Sequence, residues 1–236
     1  MIAALFAVAM AAVLVTVPAV SAGPGGSPRA ELRAFRAPQV WLVALIGTVG
    51  FAGFFAAYSF IAPVTTEVAG LPASAVPWVL VAAGLGMTAG NLLGGMAADR
   101  GLRPAMLGGF AALILASAAF GALARWPAGL LAGAFGVGAA ALFLAPALQT
   151  RLIEVAPGAQ LMGAAMNQSA TNLANGIGAT LGSLAIGHGL GYLSPAWVGV
   201  GLGSVGLILA AVSFRRDRRR PAAADRAPAP APVTRA

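Results

Sequence analysis

Five polar side chains lie close together in one long apolar stretch, where hydrogen bonding is the chemistry open to them. They recur three and four residues apart, so a helix places them along one face: Asn167, Gln168, Thr171, Asn172 and Asn175. Polar groups at such depth face a cavity or a partner helix rather than lipid. The stripe predicts either one wall of a substrate pathway or a set of hydrogen bonds between helices.

Three further side chains are candidates for the same pathway. Asn91 lies at a similar depth in its own apolar stretch and has the same two interpretations. Phe55 and Tyr58 are one helical turn apart and are candidate contacts for an apolar substrate, with packing against other helices as the alternative.

Charged residues mark the end of one apolar stretch. Asp99, Arg100 and Arg103 follow it directly, and Glu154 lies in a later connection where it can pair with the two arginines. Charge at this point indicates a boundary with water. A topology anchor is the simplest role of these arginines, and an ion-pair cluster is the alternative.

The residue inventory excludes several kinds of chemistry. The chain has no cysteine, a single histidine and no lysine, so thiolate chemistry, histidine clusters and a lysine Schiff base are absent. No Asp, Glu or His lies in the middle of an apolar stretch, because Glu67 and His188 are both at outer ends. We therefore expect no enzyme activity, no metal site and no cofactor.

Composition indicates an integral membrane protein. Hydrophobic residues make up 59% of the chain and charged residues only 8%, against roughly 25% charged residues in a soluble domain. The net charge of +8 comes from arginines in loops and the tail. Their placement is a topology signal and does not indicate nucleic-acid binding.

Seven stretches are long enough for the ~20 residues that a membrane-spanning helix needs. They are 2–20, 40–62, 76–98, 104–124, 128–148, 161–188 and 196–214. The runs are unbroken and lack the alternation of a barrel strand, so we expect an all-α fold with seven transmembrane helices.

Arginine placement predicts the orientation of these helices. Thirteen arginines fall on one side of the predicted bundle, and Arg125 stands alone on the other. The positive-inside rule then puts the N-terminus outside and the C-terminus in the cytoplasm of a plasma-membrane protein. The stretch 2–20 also resembles a secretory signal, but no positive charge precedes it, so a retained helix over 1–21 is favoured.

Two rows of glycine predict close helix packing. Gly86, Gly90 and Gly94 are four residues apart, as are Gly178 and Gly182, so another helix can approach at backbone distance.

The chain also contains an internal repeat. Phe-Ile-Ala-Pro at 60–63 matches Phe-Leu-Ala-Pro at 143–146, and Asn-Leu pairs follow at similar distances. Three helices per copy require two inverted three-helix repeats, which are common in transporters.

The stretch from Gly95 to Arg103 resembles the loop signature of the major facilitator superfamily, G-x-x-x-D-R-x-G-R. Leu102 stands where the pattern has glycine and Gly101 comes one place early, a departure that leaves the charges in register. The segments 51–95 and 147–182 are similar to the C-terminal half of bacterial twelve-helix drug:proton antiporters, including the arabinose-efflux-permease-like group.

The resemblance implies a domain organisation. The helix at 1–21 would be family helix six, 22–39 the cytoplasmic linker between halves, and 40–214 the six-helix C-terminal half; helices one to five would be missing. Residues 215–236 are basic and rich in Pro and Ala, and are expected to be a disordered cytoplasmic tail.

The resemblance also implies residue roles. Asp99 would accept hydrogen bonds from a helix of the opposite half and, with Gly95 and the cluster of Arg100, Arg103 and Glu154, latch one access state. Gln149 would end a cavity-lining helix. The glycine rows lie on family helices eight and eleven, so we expect them to face helices that this chain does not contain, with packing inside the half as the alternative.

The resulting expectation is a carrier for efflux of a small molecule, as in drug resistance, and we expect proton-coupled antiport by alternating access. Its partners would be the lipid bilayer, a small-molecule substrate, and the missing N-terminal half or a second copy, with no nucleic acid. The titratable coupling group would then lie on the other half. The alternative is a stand-alone seven-helix protein or a homodimeric half-carrier without proton coupling.

Overall fold

The computed structural model describes residues 37–156 and 160–219, together with Met10. Over these residues the chain is all-α, with six long helices: α1 (Pro38–Tyr58), α2 (Val76–Arg100), α3 (Leu102–Leu123), α4 (Pro127–Val155), α5 (Gln160–Gly187) and α6 (Ser194–Arg219). Short helical turns at Ile61–Pro63 and Val64–Val68 continue α1, and another at Ala73–Ala75 precedes α2.

Proline and glycine set several of the helix boundaries. Proline occupies one of the first two positions of α1, α2 and α4, where its missing N–H is not needed for helical hydrogen bonding. Gly101 is the single residue between α2 and α3. A side chain there would crowd Pro104, since an added Cβ would lie 3.0 Å from Pro104 Cγ.

Five helical segments are long and apolar enough to cross a membrane. They are α1 with its continuation to Val68, α2 with the turn before it, α3, α4, and α6 as far as Arg215. The helix predicted over 161–188 is present as α5, which is 28 residues long, but its amides make it less apolar than those five. Apart from Met10, the predicted span 2–20 lies outside the described residues.

Three predicted boundaries were wrong. The charged loop after residue 98 is helical except for Gly101, so Asp99 and Arg100 close α2 and Arg103 lies in the first turn of α3. The helix predicted to end at residue 148 runs on to Val155 as α4, which places Glu154 in a helix. The start of the predicted tail is also helical, because α6 ends at Arg219.

Helix packing follows one pattern twice. The largest contacts join α2 to α4 and α1 to α5; α3 packs on α4, and α6 packs on α1. Exchanging α1 with α4, α2 with α5 and α3 with α6 leaves this set of contacts unchanged. The two outer contacts, α2 with α3 and α5 with α6, are also exchanged for one another.

The first glycine row packs inside this chain. A Cβ added to Gly86, Gly90 or Gly94 would overlap a backbone carbonyl of α4, and the three carbonyls belong to Phe135, Ala139 and Phe143. The expectation that this row faces helices outside the chain is therefore wrong. The three glycines of α2 and the three carbonyl-bearing residues of α4 each follow one another by four residues. The two helices therefore stay in backbone contact over two helical turns.

The second glycine pair also has its partner within the chain. A Cβ on Gly178 would overlap the Ala52 carbonyl oxygen of α1, and one on Gly182 would lie 2.5 Å from the Phe60 ring. The α5–α1 contact therefore corresponds to the α2–α4 contact in the exchange described above.

Large side chains fill the space that other glycines leave. Phe110 of α3 is fully buried, and its ring lies where side chains on Gly50 of α1 and Gly206 of α6 would be. The core between α1, α3, α4 and α6 is continuous and almost wholly apolar; its fully buried large residues include Phe120, Leu113, Leu130 and Leu144.

Replacing Gly90 with alanine tests the α2–α4 contact. We expect Gly90→Ala to lower the free energy of unfolding by about 1–3 kcal/mol, because the methyl group overlaps the Ala139 carbonyl and forces the helices apart. The measurement is the thermal unfolding midpoint of the purified chain in detergent.

Gly84→Ala is the matched control for this prediction. Gly84 lies on the same helix, but nothing is within 4 Å of the added Cβ. Because alanine favours helix over glycine by roughly 1 kcal/mol, this variant should be neutral or stabilised. Equal midpoints for the two variants would show that the contact at Gly90 tolerates separation.

Candidate functional site

An apolar groove of about 420 Å³ lies between α1 and α5. We call it the α1–α5 groove, and its lining residues are Trp41, Ala44, Leu45, Thr48, Val49, Met162, Ala165, Met166, Ser169, Ala170, Leu173 and Ile177. Thr48 and Ser169 carry hydroxyl groups and Trp41 an indole N–H, and the other nine side chains are apolar. The hydroxyl of Thr48 donates to the Ala44 carbonyl oxygen at 3.0 Å, so it offers little to a ligand. The groove is therefore suited to binding the apolar surface of a ligand.

Residue size along α5 explains where this groove opens. Farther along the helix, Ala174 and Gly178 let α1 approach closely, and Gly178 lies against the α1 backbone. Toward the start of α5, Met162 and the buried Met166 border the groove. Methionine is unbranched and flexible, so this wall can adapt to ligands of different shape.

Amide side chains cover a neighbouring face of α5. Gln168, Asn172 and Asn175 are exposed, and Asn167 is half-buried. Thr171 bonds locally, donating to the Asn167 carbonyl oxygen at 2.9 Å. Within the described residues, none of the four amide groups forms a side-chain hydrogen bond. The predicted alternative of interhelical hydrogen bonds is therefore not seen in this part of the chain.

The amide face and the α1–α5 groove are connected. A shallow depression of about 410 Å³ is bordered by Asn172 and Thr180, and it shares Leu173 and Ile177 with the groove. A ligand on this surface would meet apolar side chains first and an amide at their edge. That combination suits an uncharged molecule with a few hydrogen-bonding groups.

Two predicted pathway residues lie on helices that do not border the α1–α5 groove. Asn91 is exposed on α2, which packs mainly on α4, so it is not brought to the amides of α5. Gln149 is exposed on α4, and it does not end that helix, because α4 continues to Val155.

The predicted aromatic contacts serve packing. The Phe54 ring centroid lies 5.1 Å from that of Tyr58 and 5.0 Å from that of Phe55. Tyr58 borders a small void against Phe120 and Ala134 that has no room for water. Phe55 covers Gly178, since a Cβ there would lie 3.0 Å from Phe55 Cβ. Both side chains are half-buried, and their role in lining a substrate cavity stays a prediction.

The predicted ion-pair cluster does not form as expected. Glu154 accepts a hydrogen bond from Arg151 of the same helix at 3.2 Å, and not from Arg100 or Arg103. Asp99 and Arg100 are exposed, Arg103 is half-buried and Gly95 has open space around it. Among the described residues, the Asp99 carboxylate has no hydrogen bond or ion pair.

Arg151 joins helix ends in a way that sequence reasoning missed. Its guanidinium carbon lies 5.1 Å from the centre of the Phe214 ring, and its side chain is only 12% exposed. Beside it, the Gln39 amide donates to the Ser213 hydroxyl at 3.1 Å. These contacts tie α1, α4 and α6 together at what we call the arginine-rich end, where Arg100, Arg103 and Arg215 also lie.

The comparison with known proteins agrees with the sequence resemblance. A profile of the Major Facilitator Superfamily matches residues 54–235. The chloramphenicol resistance protein of Streptomyces lividans is 35% identical over 195 residues, covering 81% of this chain and 49% of that protein. The inner membrane transport protein YdhP of Escherichia coli K12 is 31% identical over 215 residues, covering 91% of this chain and 55% of that protein.

A third relative matches this chain to a similar degree. The putative transporter AraJ of Escherichia coli K12 is 32% identical over 185 residues, covering 78% of this chain and 47% of that protein. The chain spans about half the length of the curated relatives it matches. The family profile covers all of α2 to α6 and the end of α1. The chain therefore belongs to the Major Facilitator Superfamily.

Proposed function

We propose that this chain supplies one six-helix unit of an efflux carrier for uncharged, largely apolar small molecules. The α1–α5 groove carries the proposal, because it offers an adaptable apolar wall next to exposed amides. The name of one relative, a chloramphenicol resistance protein, supports a drug-like substrate of this kind. The pathway would then include Asn172, Gln168 and Asn175 at its polar edge.

The working assembly is proposed to contain two six-helix units. Exposed amides are costly against lipid, so the amide face of α5 needs water or protein opposite it. A second unit, either an N-terminal half or a second copy of this chain, would enclose a pathway there. Described helices α1 to α6 would correspond to family helices seven to twelve, and the segment 1–21 to helix six.

The repeated packing pattern supports an inverted-repeat architecture for this unit. The members of each exchanged pair are offset by three helices, an odd number, so the two copies run in opposite directions through a membrane. Alternating access would then proceed by rocking the unit against its partner. The arginine-rich end is proposed to be cytoplasmic, as the positive-inside rule predicts.

Proton coupling is proposed to depend on the partner unit. The apolar stretches of residues 40–214 carry no Asp, Glu or His at mid-depth, and a proton-coupled carrier needs a titratable group in its pathway. If the partner is a second copy of this chain, the carrier would work without proton coupling.

Filling the α1–α5 groove tests the proposed substrate site. In a pump-deficient bacterium, cells expressing the chain within its two-unit assembly should extrude chloramphenicol, and Ala165→Trp should slow its extrusion about tenfold, the effect of losing about 1.4 kcal/mol of binding. Ala165 is exposed in the groove, whereas the control Ala112→Trp is exposed on α3. Equal efflux by both variants would place the substrate elsewhere.

Cysteine labelling tests whether the amide face meets water. The chain has no native cysteine, so Asn172→Cys and Leu115→Cys each present one thiol at an exposed helix position. Thiolates form and react in water, so a hydrophilic maleimide should label Asn172→Cys in membranes at least about tenfold faster. Similar slow rates would mean that both positions face lipid.

Replacing Asp99 tests its proposed role as a latch to the partner unit. Since hydrogen bonds to a charged group contribute ~1.5–3 kcal/mol, Asp99→Asn should change the maleimide labelling rate of Asn172→Cys about tenfold by shifting the access-state population. Glu67→Gln, an exposed carboxylate at the opposite end, is the control. An unchanged labelling rate in the Asp99→Asn variant would exclude the proposed role of Asp99 as a latch.

A further inference from the structure

A cavity of about 870 Å³ lies at the end of the bundle opposite the arginine-rich end. It is open on one side, and the end of α3, the end of α5 and the start of α6 border it. Its mouth carries Arg125 and Trp126, and its walls include Trp197 and the apolar side chains of Leu190, Leu193 and Val198. This cavity is separate from the α1–α5 groove and shares no residue with it.

Three hydrogen-bond donors at this cavity lack a protein acceptor within the described residues. They are the guanidinium of Arg125 and the indole N–H groups of Trp126 and Trp197. The Trp197 ring is held against α3 by Gly121, where an added Cβ would lie 3.2 Å from the indole nitrogen. Ser194 is already satisfied, since it donates to the Gly191 carbonyl oxygen at 2.7 Å.

The chemistry of these donors specifies the ligand. A cation with additional N–H donors binds an oxygen-rich anion such as a phosphate ester. The cavity also has an apolar wall, and its two tryptophans lie at helix ends, where indoles occupy the membrane interface. A freely soluble phosphate would use the donors but not the wall. A phospholipid uses both.

We propose that this cavity binds the headgroup of an anionic phospholipid. Arg125 contacts the phosphate, and an acyl chain lies along Leu190, Leu193 and Val198. The bound lipid bridges α3, α5 and α6 on the side of the membrane away from the arginine-rich end. This inference needs only a membrane-embedded bundle and does not depend on the proposed transport function.

Tryptophan quenching by brominated lipids tests the site in the full chain. Trp41→Phe with Trp78→Phe leaves Trp126 and Trp197 as the remaining tryptophans, because the sequence has four. The protein is reconstituted into phosphatidylcholine vesicles containing brominated phosphatidylglycerol or, in parallel, brominated phosphatidylcholine with the same acyl chains. Quenching at equal mole fraction gives the relative binding of the two headgroups.

We expect phosphatidylglycerol to be preferred about fivefold, as for one arginine at an anionic surface. Arg125→Gln should abolish the preference and Arg125→Lys should retain most of it, whereas Arg215→Gln at the opposite end should leave it unchanged. Equal quenching by both lipids, or a preference that survives Arg125→Gln, would overturn the proposal. A preference lost on adding millimolar glycerol phosphate, but not sodium chloride of equal ionic strength, would assign the site to a soluble anion instead.

Discussion

Close contact between helix backbones is the constraint on which the rest of this bundle depends. Helices in a membrane gain little from the hydrophobic effect when they associate, because lipid is as apolar as leucine. Van der Waals contact must hold them together, and it is strongest where side chains are small. Gly90 against Ala139 and Gly178 against Ala52 provide such contact at two corresponding places.

These two contacts determine which surfaces remain exposed. Because α2 and α5 each attach through a face of glycine and alanine, their larger and more polar residues point away from the core. On α5 this leaves the amides without partners in the described chain, next to the groove along α1. The same small residues that stabilise the unit therefore also create the surface that a substrate or a second unit can reach.

Much of the fold could be predicted from hydropathy, because six of the seven long apolar stretches correspond to described helices. Which helix packs against which was harder to predict. The spacing of Gly86, Gly90 and Gly94 indicates that some helix approaches closely, but spacing does not say which helix. The groove residues were missed because a Met or Leu facing a cavity looks the same in sequence as one facing lipid. Glu154 was assigned to a connection because charged residues indicate a boundary with water, although α4 continues to Val155.

The polar face of α5 has a consequence for how the protein is made. The translocon passes a nascent helix into lipid according to its apolar character, and each amide lowers that tendency. Asn167, Gln168, Asn172 and Asn175 make α5 a poor candidate for entering lipid alone. Its partner α1 is synthesised earlier and presents the backbone that receives Gly178. We therefore expect α5 to enter the membrane against α1, which makes the order of synthesis part of the folding of this protein.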